Sequence, residues 1–339
     1  MQQHPTPSLD GIIQEIHPST REWRQKAEAR TAQLVMPPRA LGRLHDLSER
    51  ICAIQETLSP DVSRKTVLIM AGDHGIMDEG YSPFPQAVTP EMIKTFLRGG
   101  AGINALASTV QAEVRVVDLG IVPDLDPKSL EGGEHLSIAK IDRGTANFSR
   151  GPAMSREQAE QAICRGFEQA EAHIRQGTNL LGTGDMGIGN TSPSAAIGTV
   201  FTRTPLEAMV GRGTGVDDTA LQHKLGAITR GLEINRPDPG DGLDVLSKVG
   251  GFEIGGIAGL ILAGAAHRIP VVLDGFIAAA GALIARALCP HARDFMFAGH
   301  CSAEQGHRAI LDYLELKPIL DLEMRLGEGT GAVLAMSVI

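Results

Sequence analysis

Short continuous runs of apolar residues recur along the chain, separated by longer segments whose apolar positions follow helical spacing. Runs of this kind, bounded by Gly, Pro, Asp or Asn, are typical of strands buried on both faces. They predict strands at residues 66–71, 114–119, 179–182, 269–274 and 294–298. No such run precedes residue 66, so the strands belong to the later part of the chain.

The first sixty residues have a different pattern. Apolar positions follow helical spacing over residues 20–35 and 39–58, and Pro37 and Pro38 interrupt the two segments. We therefore predict a small helical domain over residues 1–60 and an α/β nucleotide-binding domain over residues 61–339.

Capping signals indicate where several later helices begin. Thr89 precedes a proline and an acid, and Ser155 and Ser302 each have a glutamine three residues later. Asp217 precedes the helix that carries Lys224. Strands that alternate with helices predict a mostly parallel sheet with helices on both faces. Ligands of such sheets bind outside the carboxyl ends of the strands, so we expect the chemistry there.

Composition narrows the function classes. The 339-residue chain has a formal net charge of −9, which argues against nucleic-acid binding through bulk positive charge. Its most apolar region contains charge-free pieces at 254–266 and 275–285, shorter than the ~20 residues that span a membrane. No signal peptide is evident. The cysteines predict reduced, mostly buried thiols of a cytoplasmic protein, because Cys52, Cys164, Cys289 and Cys301 form no C-x-x-C pair.

Residues 180–193 hold the clearest chemical signal. An apolar pair leads into four glycines within eight residues, then into Asn190, Thr191 and Ser192 ahead of Pro193. Glycine lets a backbone approach a ligand closely, and the amide and hydroxyls can cap a helix that begins near Pro193. Such a helix start binds anions, most often phosphate. A tight turn without a ligand is the alternative.

The segment Gly182-x-Gly184-x-x-Gly187 also matches the dinucleotide fingerprint, and Glu207 follows at about the expected twenty residues. Two features oppose this match: Gly189 and Pro193 delay the helix, and no clear second strand precedes Glu207. An NAD-dependent oxidoreductase is therefore a second hypothesis, and a non-catalytic nucleotide sensor is a third.

Three other features have two interpretations each. Asp73, His74 and His300 are either metal ligands or hydrogen-bonded loop groups, and the lack of ligand spacing favours the second. Glu328, flanked by glycines, is either a surface side chain or a general base whose pKa an apolar setting raises. The proline-rich loop 81–86 is either a lid over a flat apolar ligand or a well-packed loop.

Taken together, these segments resemble the nicotinate-nucleotide:dimethylbenzimidazole phosphoribosyltransferases, which activate the lower ligand of cobalamin. The resemblance rests on the segments 72–75, 79–86, 184–191, 211–218, 248–254, 273–276, 302–307 and 325–331, which occur in the family's order. It covers about residues 72–332 and includes little of the first sixty. It implies a homodimer with a Rossmann-like domain, and a small helical domain completed by part of the C-terminal segment. It implies no metal or other cofactor.

The resemblance also implies a reaction. Nicotinate mononucleotide would lose nicotinate as a ring nitrogen of 5,6-dimethylbenzimidazole, or of a related base, attacks the anomeric carbon from the opposite face. The product would be α-ribazole 5′-phosphate, for the nucleotide loop of cobalamin. Glu328 matches the family's general base.

Further site residues follow from the same resemblance. Those that would hold the nucleotide and its phosphate are Asp185, Met186, Gly187, Ile188, Gly189, Asn190, Thr191, Lys224, Asp274, Gly275 and Ser302. Those that would border the base are Ser82, Phe84, Gln86, Arg325 and Leu326. The family loop usually has glutamate where this chain has Asp185, so the base that is accepted, which in relatives includes adenine or phenols, stays open.

Overall fold

The structure, a computed structural model, describes residues 8–211 and 217–339. Within those residues the chain forms fourteen α-helices and six strands. The helices are α1 (Leu9–Glu15), α2 (Arg21–Thr31), α3 (Arg43–Gln55), α4 (Val88–Leu97), α5 (Gly102–Thr109), α6 (Arg156–Arg175), α7 (Thr191–Thr202), α8 (Leu206–Met209), α9 (Asp218–Asn235), α10 (Gly242–Val249), α11 (Phe252–Ala266), α12 (Phe276–Leu288), α13 (His307–Tyr313) and α14 (Thr330–Ala335). The strands are β1 (Lys65–Gly72), β2 (Ala112–Gly120), β3 (Leu136–Ile138), β4 (Leu180–Met186), β5 (Val271–Leu273) and β6 (Met296–Ala298).

The strands form one parallel sheet in the order β3-β2-β1-β4-β5-β6. The predicted parallel α/β fold is therefore confirmed. The order reverses direction between β1 and β4, and such a reversal opens a crevice at the carboxyl ends of the strands. All five predicted strands are present, and β3 lies in a segment whose polar composition predicts a loop.

Helices cover both faces of the sheet. Alternate residues of β1 separate into two buried clusters, since Leu68 and Met70 pack with one set of apolar side chains and Val67 and Ile69 pack with the other. The first cluster includes residues of α6, α11 and α12, and the second includes residues of α4, α5 and α14. This alternation is the period of two that a strand buried on both faces produces.

The N-terminal helices pack on the first cluster. Leu9, Ile12, Ile51 and Ile54 are buried in it, and the Arg268 guanidinium donates hydrogen bonds to the Ile54 and Ala53 carbonyls at 2.7 and 3.0 Å. The domain boundary near residue 60 stays a prediction.

Two of the predicted helix starts match their helices and two do not. Ser155 forms the expected capping box of α6, and Asp217 accepts a hydrogen bond from the Ala220 amide at the start of α9. Helix α4 begins at Val88 rather than after Thr89, and α13 begins at His307, later than the Ser302 signal predicts. Among the described residues, no helix is long and apolar enough to cross a membrane.

Candidate active site

A cavity of about 620 Å³ lies at the carboxyl ends of β4, β5 and β6. Its volume is in the range of pockets that bind small molecules. It is lined by Phe84, Val88, Met92, Asp185, Met186, Gly187, Ile188, Asn190, Thr191, Gly275, Phe276, Ile277, His300, Ser302, Glu304, Arg325, Leu326, Gly327 and Glu328. The wall therefore combines the segments that follow these three strands with α4 and the turn before α14.

The connection from β4 to α7 forms part of the cavity wall. The helix begins at Thr191, two residues before the predicted start, so Asn190 and Thr191 lie at its N-terminus and line the cavity. The Thr89 hydroxyl accepts a hydrogen bond from the Ile188 amide at 3.2 Å and so ties this turn to α4. A helix N-terminus that faces a cavity favours an anionic ligand. Gly189 lies in the same turn with φ +96°, but it packs toward Met77 rather than lining the cavity.

Gly182 and Gly184 have a packing role instead of a ligand-binding role. Both lie inside β4, and a Cβ at Gly184 would lie 2.6 Å from the Glu328 carbonyl oxygen. A Cβ at Gly182 would lie 2.6 Å from the Met336 Cε atom. These glycines let the C-terminal segment pack on the strand. The dinucleotide fingerprint needs its first glycine in the turn after the strand, so the oxidoreductase hypothesis loses its support.

Lys224 reaches the helix start from α9. Its Nζ donates hydrogen bonds to the Thr191 hydroxyl at 2.9 Å and to the Gly211 carbonyl at 3.2 Å. The side chain is buried behind Thr191, and this burial lowers the pKa of Lys224 to about 8. The structure therefore places Lys224 beside the turn but outside the cavity lining, and its role in phosphate binding stays a prediction. Residues 212–216 of the motif at 211–218 lie outside the described residues.

Glu328 also lines the cavity and is 7% exposed. Its Oε2 atom accepts a hydrogen bond from the Ile103 amide at 3.1 Å, in the first turn of α5. Burial raises the pKa of the Glu328 carboxyl, the Ile103 amide opposes that effect, and the negative charge of Asp274 adds to it. A carboxylate with a raised pKa, oriented by a fixed donor, suits a general base.

Two further carboxylates lie near Glu328. Asp185 lines the cavity, and its Oδ2 atom accepts a hydrogen bond from the Asn190 side chain at 2.9 Å. Burial, and then the Asp274 and Glu253 carboxylates, raise the pKa of Asp185 well above its usual range. Asp274 is 1% exposed and lies behind the lining, where it accepts hydrogen bonds from backbone amides near α14.

The residues expected to border the base divide into two groups. Phe84, Arg325 and Leu326 line the cavity. Ser82 and Gln86 shape the loop instead, because the Ser82 hydroxyl donates to the Phe84 carbonyl at 3.1 Å and the Gln86 amide donates to the His74 carbonyl at 2.9 Å. The loop is also joined to α7 by a 2.7 Å hydrogen bond between the Tyr81 and Ser192 hydroxyls.

Gly275 and Ser302 line the cavity as expected, and other lining residues were not predicted. These are Val88, Met92, Phe276, Ile277, His300, Glu304 and Gly327. Val88 and Met92 stand four residues apart on α4 and therefore lie on one face of that helix. Because α4 follows β1, and ligands bind at the carboxyl ends of parallel strands, this spacing is a sequence signal for two residues that line the cavity. His300, which the sequence leaves as a loop group, lies with its Nε2 atom 3.7 Å from Asp274 Oδ1.

His74 pairs with a carboxylate. Its Nε2 atom lies 2.9 Å from the Glu253 Oε1 atom, and both side chains are buried. Burial opposes the positive charge of His74, but the Glu253 carboxylate outweighs burial and raises the pKa of His74. Within residues 8–211 and 217–339, no group of three or more His, Cys, Asp or Glu side chains has the arrangement of a metal site.

Known proteins resemble this chain over nearly its whole length. A family model described as phosphoribosyltransferase matches residues 16–339. A relative from Geobacter sulfurreducens, named nicotinate-nucleotide–dimethylbenzimidazole phosphoribosyltransferase, is 52% identical over 331 residues, which cover 98% of this chain and 93% of the relative. A relative of the same name from Chloroflexus aggregans is 51% identical over 97% of this chain and 92% of its own length.

Solved structures agree with these relatives. The crystal structure of the protein of that name from Thermus thermophilus is similar with a TM-score of 0.87 and 44% sequence identity. The similarity covers 94% of this chain and 93% of that chain.

Proposed function

Because the chain belongs to the nicotinate-nucleotide–dimethylbenzimidazole phosphoribosyltransferase family, we propose that its cavity transfers a phosphoribosyl group. The donor is nicotinate mononucleotide, the acceptor is 5,6-dimethylbenzimidazole or a related base, and the products are α-ribazole 5′-phosphate and nicotinate. One observation supports this most directly. A single cavity is lined both by an anion-favouring helix start and by a buried, oriented carboxylate.

The 5′-phosphate binds at the start of α7. The positive end of the helix lies at this part of the cavity, where Gly187, Asn190 and Thr191 line the wall. Lys224 adds a positive charge through its position behind the Thr191 hydroxyl, 2.9 Å away. The ribose then lies along Gly275 and Ser302, between the phosphate and Glu328.

The acceptor base lies beside Glu328. Apolar side chains suited to a flat ring line the cavity, including Phe84, Met92 and Leu326. The Ile103 amide holds Oε2, so we assign Oε1 to receive the proton from the ring nitrogen of the base. Asp185 also lines the cavity, and its environment favours the neutral form of its carboxyl, which suits a neutral aromatic ligand.

The bonds and charges balance in one displacement. The unprotonated ring nitrogen of the base attacks the anomeric carbon from the face opposite nicotinate, and a C–N bond forms with inversion. The bond to nicotinate breaks, and its electron pair goes to the nicotinate ring nitrogen. The N–H proton of the base passes to Glu328. A positioned base of this kind contributes about 10²–10⁴-fold to the rate.

The function is tested by incubating the full chain with nicotinate mononucleotide and a panel of acceptors. The panel contains dimethylbenzimidazole, benzimidazole, adenine and a phenol, and free nicotinate is measured by chromatography. We expect nicotinate release only in the presence of an acceptor, together with an α-linked product. Release without an acceptor would indicate a hydrolase, and binding without release would indicate the nucleotide sensor.

The same family membership supports a homodimer and a cytoplasmic location. An exposed apolar segment of the N-terminal region fits a contact with a second copy, since Leu34, Val35, Met36, Leu41 and Leu44 are all exposed. The four cysteines are free and buried, which fits a reducing compartment. Light scattering coupled to size-exclusion chromatography tests the dimer, and a monomeric mass at micromolar concentration contradicts it.

A further inference from the structure

The turn that presents Glu328 has an unusual backbone. Gly327, Glu328 and Gly329 are consecutive residues with φ angles of +81°, +64° and +100°. Glycine adopts this left-handed region freely, but a residue with a Cβ atom does so at a cost. Such a conformation persists only where the surrounding structure determines it. The fold must therefore contain groups that hold Glu328 in place.

Asp274 accepts three hydrogen bonds that can do so. Its Oδ2 atom accepts a hydrogen bond from the Gly329 amide at 3.1 Å, and its Oδ1 atom accepts from the Gly331 and Ala332 amides at 2.7 and 3.1 Å. The cap residue of α14 is Gly329, which has no side chain of its own to bond these amides. Asp274 thus supplies, from the end of β5, the cap that α14 lacks.

Asp274 is itself fixed to the sheet. Its backbone amide donates a hydrogen bond to the Thr183 hydroxyl of β4 at 2.9 Å, and the side chain is 1% exposed. Thr330 closes the turn locally through two hydrogen bonds to the Gly327 carbonyl, but those bonds do not connect the turn to the sheet. The hydrogen bonds that the Asp274 carboxylate accepts therefore connect the segment that begins with the Gly327–Gly329 turn to the strands, and the turn also packs directly on Gly184 of β4.

We propose that Asp274 is a positioning residue that does not bind the nucleotide but holds the Gly327–Gly329 turn so that the Glu328 carboxylate faces the cavity. This inference rests on the proposed function, in which Glu328 is the base. Asp274 also faces charged or titratable groups on other elements, namely His300 after β6, Asp185 on β4 and Glu328 itself. Removing its negative charge therefore changes the electrostatic environment of Glu328.

The test is Asp274→Asn in the full chain, assayed beside the unaltered chain with nicotinate mononucleotide and dimethylbenzimidazole. The amide keeps one oxygen acceptor and loses the other together with the charge. We expect kcat to fall at least tenfold and KM for the nucleotide to stay within twofold. The acid limb of the kcat profile should move to lower pH, because Glu328 loses a negative neighbour that raises its pKa.

Asp241→Asn is the matched control. Asp241 also caps a helix with its carboxylate, since it accepts hydrogen bonds from the Leu243 and Asp244 amides at 3.0 Å each, and it lies outside the cavity lining. We expect this variant to lose thermal stability while kcat stays within twofold of the unaltered chain.

Each outcome separates the hypotheses. An unchanged kcat in Asp274→Asn overturns the positioning role while leaving the proposed function intact. So does a fall in kcat that Asp241→Asn shares, or one accompanied by an equal loss of nucleotide affinity in calorimetry. Absence of turnover by the unaltered chain with every acceptor overturns both the proposed function and this inference.

Discussion

The cavity lining has two parts, which we call the phosphate end and the base end. At the phosphate end, Met186 through Thr191 pass from β4 into α7 within a few residues, and neighbours in sequence supply most of the anion-favouring groups. At the other end, the Gly327–Gly329 turn depends on Asp274, 55 positions before Gly329, and on Ile103, 225 positions before Glu328. The first region is encoded locally and the second is assembled by the fold.

This difference predicts two separable functions. An anchor made by a strand, a turn and a helix start should bind phosphate wherever those elements form. A base whose backbone and carboxylate are both held by distant residues should lose its activity through small changes that leave binding intact. Substitutions at the two ends therefore test whether anchoring and chemistry are distinct.

The largest effect is expected for Glu328→Gln. The amide keeps the size of the side chain but cannot accept the proton, so kcat should fall about 10²–10⁴-fold. The dissociation constant of nicotinate mononucleotide should change less than twofold, because the phosphate end is untouched. Steady-state rates and calorimetry measure the two quantities. A variant that turns over at the rate of the unaltered chain shows that Glu328 is not the base.

Lys224→Met should have the opposite profile. The ammonium lies behind the Thr191 hydroxyl and acts on the phosphate through its charge, so we expect KM for the nucleotide to rise about 10–100-fold when that charge is removed. We expect kcat at saturation to stay within threefold. Lys248→Met is the control, because Lys248 pairs with Asp244 on α10 and lies outside the cavity lining. A large loss of kcat in Lys224→Met would show that phosphate binding and the chemical step are not separable.

Gly184→Ala tests a place where β4 packs against the turn that carries Glu328. The new methyl group would lie 2.6 Å from the Glu328 carbonyl oxygen, so the turn must move away from β4. Overpacking of this kind costs about 1–3 kcal/mol of unfolding free energy, and we expect kcat to fall with it. In Gly226→Ala the methyl group meets only the end of Arg230, at 3.8 Å, so that variant should be neutral or stabilising. Chemical denaturation with steady-state kinetics measures both.

Sequence patterns predicted those structural features that neighbouring residues determine. The long apolar strands β1 and β2, the capping box of Ser155 and the turn before Thr191 all follow from neighbouring residues. The three-residue strand β3 was missed because it is short and flanked by polar residues. Helix α4 begins before Thr89, because the Thr89 hydroxyl accepts a hydrogen bond from the Ile188 amide instead of capping the helix.

Tertiary contacts determine the remainder of the candidate site. The flanking glycines make Glu328 a candidate base. No pattern in the neighbouring sequence predicts that the Ile103 amide donates to its carboxylate or that Asp274 accepts from the Gly329 amide. Likewise, Gly182 and Gly184 match a ligand-binding fingerprint, whereas their actual partners are Met336 and Glu328 in the C-terminal segment. A glycine pattern does not state whether the backbone approaches a ligand or another part of the chain.

The smallest predicted effect is a pH dependence that differs between the two ends. Burial lowers the pKa of Lys224 to about 8, so the free enzyme loses the ammonium charge as the pH rises through that value. Because the charged form binds phosphate, KM for the nucleotide should be flat between about pH 7 and pH 8 and rise above it, toward about tenfold per unit. Burial raises the pKa of Glu328, so kcat should instead fall as the pH drops through that raised pKa.

Above about pH 7 the phosphate stays dianionic, since its second pKa is about 6, so a titration from pH 7 to about 9.5 isolates the lysine. The alkaline rise in KM should disappear in Lys224→Met, and its persistence there would assign the titration to another group.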